Sequence, residues 1–218
     1  YWGINTISSD ECVNPVRNPG NDWSDDGYWK GFNDHSWTAN DLSFEFVWQY
    51  SNAGAVLCNK ILSQLESIKE SLQQAGLYDR FSAELKVLRC YYYYTLFDSF
   101  GRIPYLDSYS SAAVPQSEPW EVWNKLVTLL EEEAPKLPAI TDANRAENYG
   151  RCSQGMAYTL LARLYLNAVS YGVTAQKCGI EGINQEEDFY KRCQEFCQKV
   201  IDSGSYKIED DFFANFKI

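Results

Sequence analysis

Histidine and methionine are almost missing from this chain: His35 and Met156 are the only ones in 218 residues. A single histidine cannot assemble a zinc site of standard spacing, and no Cys-x-x-Cys pair stands in for the missing ligands. The seven cysteines, at 12, 58, 90, 152, 178, 193 and 197, form an odd set, which argues against a complete disulfide framework. Most occupy helical positions where alanine would serve, so they read as small buried hydrophobes. No run of about 18 uncharged apolar residues exists, so no membrane-crossing helix is expected. CYYYYTLF (90–97) comes nearest and is too short and too phenolic. Basic residues are in deficit, 19 against 30 acidic, giving a formal charge of −11 and a pI near 4.6. That balance disfavours a nucleic-acid partner, whose phosphates need a basic stripe, and disfavours adhesion to anionic lipid. No basic, apolar leader precedes Tyr1, so the chain reads as mature or trimmed.

What is present is helical periodicity. In AELKVLRCYYYYTLFDSFGRIP (83–104), with Phe81 just before it, apolar residues at Phe81, Leu85, Leu88, Tyr92 and Leu96 fall at steps of three and four on one helical face. The tyrosine run makes this helix aromatic on nearly every side, so packing on several faces is expected. Gly101 and Pro104 should stop it. A long preceding helix is expected from about Phe44 to Gln74, with a stripe of Leu57, Ile61, Leu65, Ile68 and Leu72, pairing with 79–99 as an antiparallel hairpin. In 117–138 the pattern places Ser117 as N-cap, Pro119 in the first turn, and Trp123, Leu126, Val127 and Leu130 on the buried side. Two further helices, 153–170 and 187–203, should pair. The first turns Ala157, Leu160, Leu161, Leu164 and Ala168 inward. The second aligns Tyr190, Cys193, Cys197 and Val200, with Cys193 and Cys197 reduced and packed in the seam. Tyr158-x2-Leu161-Ala162-x2-Tyr165 fits the first helix of a tetratricopeptide repeat, and Cys193-x3-Cys197-x2-Val200 fits the second after an insertion of about 19 residues. The expected fold class is mainly α, in two parts: irregular, Trp-rich loops over 1–43 and a tetratricopeptide-like helical bundle over 44–218.

Residues 14–27, NPVRNPGNDWSDDG, are dense in turn formers. Five of the seven tryptophans (2, 23, 29, 37 and 48) lie in the first 48 residues. An irregular segment cannot bury so many indoles in one helical stripe, so some should cover the bundle and some should face solvent. An exposed ring beside amide, carboxylate and guanidinium groups suits a sugar, whose CH face packs on the ring while planar polar groups bond its hydroxyls. DWSDDG (22–27) matches the opening of a calcium loop through Asp22, Ser24, Asp26 and Gly27. The twelfth position is Asn33 rather than a bidentate Glu, so the stretch reads as a solvated Asx turn and no metal is expected. His35 reads as a hydrogen-bonded loop residue rather than a catalytic base.

Taken with GRCSQGMAYTLLARLYLNA (150–168) and FYKRCQEFCQKVIDSGSYKI (189–208), the 83–104 helix resembles the SusD/RagB family of Bacteroidetes glycan-binding lipoproteins, in that family's order and almost end to end. The stretch 8–62 resembles the family's N-terminal binding region. The resemblance implies a single SusD-like helical domain over 1–218, incomplete, and an N-terminal-side fragment of a chain about twice as long. It implies capture of an oligosaccharide or polysaccharide, transfer to a SusC-like TonB-dependent transporter, and an N-terminal lipid anchor at the extracellular face of the outer membrane. No cofactor and no catalytic residue are implied. Carried over residue by residue, the glycan contacts would be Trp37 and Asn40, whose spacing is kept, with Arg17 and Asp10, for which Glu11 is an equal match. One alternative is a tetratricopeptide-like scaffold for a peptide or protein, which expects a groove lined by helical residues and buried N-terminal tryptophans. A glycoside hydrolase would need two carboxylates about 5–10 Å apart across a sugar site, and no local motif selects such a pair.

Overall fold

The computed structural model describes residues 1–15 and 27–216. The helices, in order, are α1 (Trp2–Ile7), α2 (Tyr28–Asn33), α3 (Leu42–Ser67), α4 (Lys69–Gln74), α5 (Tyr78–Phe100), α6 (Pro119–Glu133), α7 (Arg145–Asn148), α8 (Gln154–Leu166) and α9 (Glu187–Asp202). Two short strands, β1 (Ile103–Pro104) and β2 (Gln116–Ser117), form an antiparallel pair with Ile103 opposite Ser117. The chain is mainly α, as its periodicity predicts. Two compact units are recognisable, Tyr1–Ala53 and Gly54–Ile218, and the division falls inside α3.

In the Gly54–Ile218 unit, α3 and α5 run antiparallel: Gly54 lies under Tyr92, Asn59 accepts from Arg89, and Glu66 accepts from Tyr78. The expected 44–74 helix is interrupted at Ile68, whose φ of −119° and ψ of 18° leave the helical range. Its buried stripe is also rotated. Leu57 and Ile68 are more than half exposed, while Ala55, Cys58 and Asn59 face inward. Small residues on that side make room for side chains of α5, as the Tyr92 ring lying over Gly54 shows. α5 is closed on most of its circumference: Ala83, Val87, Cys90, Tyr93, Tyr94, Leu96 and Phe97 are all buried. Gly101 ends it at φ 69°, a value only glycine adopts without strain.

The centre of this unit is aromatic. Trp123 of α6 is fully buried, donates its indole N–H to the Leu164 carbonyl at 2.9 Å, and meets Tyr165 and Phe189 edge-on at 5.4 and 5.5 Å. Phe196 stacks on both Tyr158 and Tyr165 at 5.8 Å, and Lys199 lies over the Tyr158 ring. Residue 158 thus meets the end of α9, so α8 and α9 form the expected antiparallel pair. Here the α9 register corrects the expectation. Phe189 and Phe196 occupy the seam, Tyr190 is half exposed, Cys193 is partly covered, and Cys197 is exposed. Two phenyl rings remove far more apolar area from water than two thiols, so the helix turns one residue to bury them. All seven cysteines are unpaired, but only Cys58, Cys90 and Cys152 are buried. A second correction concerns α6, which is capped by Glu118 rather than Ser117. Glu118 and Glu121 form a reciprocal capping box.

Among the described residues two charged side chains are buried. Glu133 is held between the Lys86 ammonium at 2.5 Å and that of Lys136 at 3.0 Å. Arg89, 4% exposed, donates through Nη1 to Asn59 Oδ1 and to the Asp107 carbonyl, both at 2.5 Å. Among the described residues no carboxylate pairs with it, and its Nε has no acceptor.

Candidate functional site

The Tyr1–Ala53 unit carries the sequence-predicted binding residues. Two six-residue helices, α1 and α2, stand in the stretch read as irregular loops. Phe32, 1% exposed, is the hub. Around it lie Tyr28 at 5.4 Å, Trp29 at 5.5 Å, Phe44 at 5.7 Å and Trp37 at 5.8 Å. Trp37 is stacked on Phe32 with planes 20° apart, and it remains 39% exposed. One face of the indole is therefore committed to packing, and part of its surface is open to solvent.

The loop that carries Trp37 is held at both ends. On the N-terminal side His35 sits at φ 55°, a left-handed conformation unusual for a residue with a side chain. Its Nε2 donates to the Ser8 carbonyl at 2.7 Å. Beside it, the Asn33 amide donates to the carbonyls of Ile7 and Cys12. These bonds tie segment 7–12, which includes Asp10, to the turn leading into Trp37. On the C-terminal side Asp41 Oδ2 accepts from the Thr38 amide at 2.5 Å and from the Thr38 hydroxyl at 3.2 Å. Asn40 lies inside this clasp, its backbone N–H donating to Thr38 Oγ1 at 3.3 Å. Tyr28 locks α2 to the start of α3: its hydroxyl donates to Ser43 Oγ at 2.7 Å and accepts from the Ser43 amide at 2.9 Å.

Trp37 and Asn40 thus share one ordered turn, and Asp10 lies on an exposed segment bonded to that turn through Ser8. Among the described residues no hydrogen bond joins Asp10 to Trp37 or Asn40. Arg17 falls outside the described residues, as do Asp22, Ser24 and Asp26 of the calcium-like stretch. Asn33, the twelfth position of that stretch, is engaged with backbone carbonyls. His35 is hydrogen-bonded, as its loop position suggests. No group of three potential metal ligands occurs among the described residues.

Periodicity did not reveal Phe32, the left-handed His35 or the Thr38–Asp41 clasp. The available signal was the i, i+4 pair Tyr28/Phe32, too short to stand out in a loop-rich segment. Nor did it reveal a cleft of about 570 Å³ in the same unit, walled by Tyr1, Ile4, Tyr28, Trp29, Leu42 and Phe46. Leu42 and Phe46 are more than half exposed there.

Comparison with known proteins agrees with the helical order. A family profile described as "Starch-binding associating with outer membrane" matches residues 5–166. The starch-binding protein SusD of Bacteroides thetaiotaomicron is 24% identical over 209 residues, covering 95% of this chain and 32% of SusD. The surface glycan-binding protein A of Bacteroides uniformis superposes with a TM-score of 0.75 at 21% identity, over 100% of this chain and 44% of that one. A laminarin-binding SusD-like protein superposes with a TM-score of 0.56 at 25% identity, over 82% of this chain and 41% of its own. The chain therefore spans less than half the length of these relatives. With one profile running through both units and a shared fold across α1 to α9, the chain belongs to the SusD-like family.

Proposed function

We propose that this protein captures glycan at the bacterial surface without altering it, and passes it to a partner TonB-dependent transporter. In this reading it sits on the extracellular face of the outer membrane, held by an N-terminal lipid. Trp37 supplies the stacking surface, and Asn40, Arg17 and Asp10 supply hydrogen bonds to hydroxyls. The observation that carries the reading is the Trp37 indole: one face is fixed on buried Phe32, the ring is 39% exposed, and Asn40 sits in the same clasped turn. A ring held in place loses little freedom when a sugar covers it, so its apolar surface is available as binding free energy. Asn40 and Asp10 are both exposed, so their planar polar groups are open to a ligand. The reading asks for recognition alone.

The test is affinity electrophoresis of the whole protein against starch, laminarin and xyloglucan, with Trp37→Ala and Asn40→Ala beside wild type. Retardation in at least one gel is expected. Trp37→Ala should lower that affinity roughly tenfold or more, because stacking and burial each contribute about 1 kcal/mol. Undiminished retardation in both variants would remove the site from this turn.

A further inference from the structure

The Gly54–Ile218 unit holds a second aromatic cavity, of about 390 Å³, between α5, α8 and the segment after α9. Tyr91 and Tyr94 form one side, Met156, Leu160 and Arg163 line the α8 side, and Tyr206 closes it. Tyr206 is half exposed yet firmly seated. Its hydroxyl lies 3.3 Å from Ser153 Oγ, and its ring covers Gly155 so closely that a Cβ there would fall well inside van der Waals contact. Gly155 lies in the first turn of α8, at an ordinary helical φ, where alanine would otherwise be the better residue. The glycine is explained by the ring it admits. Tyr91, 43% exposed, offers a second phenol to the same space.

Arg163 gives this cavity its electrostatic character. Its guanidinium stands 5.7 Å from the Tyr94 ring centroid, and no carboxylate pairs with it among the described residues. Among the described residues no Asp or Glu lines the cavity, although the chain carries 30 acidic residues and a net charge of −11. A guanidinium that faces rings instead of a carboxylate retains its bidentate donors for an incoming anion.

We propose that this cavity binds an acidic sugar, a pyranose bearing a carboxylate. Its CH face packs on Tyr206, and its carboxylate meets Arg163. This rests on the glycan-binding reading and adds to it a second site, on the other unit from Trp37, with a preference for acidic sugars. The volume suits one or two sugar rings, since clefts for small ligands begin at about 300 Å³.

The experiment is isothermal titration calorimetry of the whole protein with trigalacturonate and with maltotriose, at low and moderate salt. Wild type, Trp37→Ala, Tyr206→Ala and Arg163→Gln are compared. Trigalacturonate should bind, more weakly as salt rises. Arg163→Gln should reduce that affinity about tenfold or more, through loss of a charge-assisted bond, and leave maltotriose unchanged. Tyr206→Ala should reduce trigalacturonate binding and leave maltotriose binding unchanged. Arg163 is exposed, so its substitution leaves folding intact even if Tyr206→Ala disturbs the segment after α9. Trigalacturonate binding that ignores Arg163→Gln, or no trigalacturonate binding at all, overturns the inference. A cavity covered in the whole protein by another segment, seen as protection of Tyr206 from nitration, overturns it as well. If neutral glycans still depend on Trp37, the proposed function stands alone; if no glycan binds wild type, that reading fails first.

Discussion

Replacing Arg89 by Met tests how the Gly54–Ile218 unit is joined. Two effects oppose each other. Removing a buried cation that has only neutral acceptors relieves a desolvation cost of several kcal/mol. It also deletes two charge-assisted hydrogen bonds, each contributing about 1.5–3 kcal/mol, and strands their acceptors. The structure says how badly each acceptor is stranded. Asp107 is exposed, so water can take over at its carbonyl. Asn59 is 3% exposed, so its Oδ1 is left without a donor in a dry site. The orphaned amide decides the sign, and Arg89→Met should destabilise by about 2–4 kcal/mol. Asn59→Leu alone should cost about 3–5 kcal/mol, because it leaves the guanidinium with a single acceptor. The double variant should cost less than either. With both partners gone, the Leu106 carbonyl that Asn59 also serves keeps its bond from Tyr93 at 2.9 Å. Urea denaturation of the four proteins in a mutant cycle measures this coupling. A double variant whose loss equals the sum of the singles would refute the reasoning, and so would a neutral Arg89→Met.

Gly54→Ala should be destabilising by about 1–2 kcal/mol, since its Cβ would strike the Tyr92 ring and the overpacking exceeds a helix-propensity gain of about 1 kcal/mol; a raised melting temperature would contradict it. In the native protein Cys197 should react first with Ellman's reagent and Cys90 last. Cys197 is exposed, whereas burial pushes the Cys90 thiol up to about 12; equal rates would show the α9 register to be wrong. Asp188 is held down to about 2, first by the Lys191 ammonium and then by the amides of Asn184 and Gln185 ahead of α9. A depressed carboxyl contributes stability above its unfolded value near 4 and loses it as pH falls toward 2. Between pH 4 and 2, the protection of amides at the start of α9, relative to their intrinsic exchange, should therefore fall in wild type and not in Asp188→Asn.

How far the fold was legible depends on what sets each helix's orientation. The buried faces of α6 and α8 were readable to the residue, because Trp123, Leu126, Val127, Leu130 and Leu161 are large, apolar and fully buried, and no competing stripe exists. α3 and α9 each carry two stripes about one residue apart. On α9 the phenyl pair 189/196 competes with the small-residue pair 193/197, and area removed from water favours the rings. On α3 the reverse holds. Leu57 is left exposed so that Gly54, Ala55 and Cys58 can admit α5, a choice made by the partner helix and invisible in α3 itself.

The candidate site was legible only as a spacing. Trp37-x2-Asn40 can be seen in the chain, but what orders it is tertiary: Phe32 beneath the ring, Ser8 under His35, and Asp41 around Thr38. This changes how Trp37 must be probed. A freely exposed indole could be removed at no cost to folding, whereas a ring only 39% exposed and stacked on Phe32 cannot. A tryptophan covers about 150–250 Å², so truncation to Ala would uncover roughly 100–150 Å² of packing, about 3 kcal/mol at 25 cal/mol per Å². Trp37→Phe keeps a ring on Phe32 and shortens the outer surface, so it should retain most stability while glycan affinity falls several-fold. If Trp37→Phe binds like wild type while Trp37→Ala binds poorly and melts early, the indole supports the turn and the sugar rests elsewhere. If both bind poorly and only the Ala variant melts early, packing and recognition are carried by two different parts of the same ring.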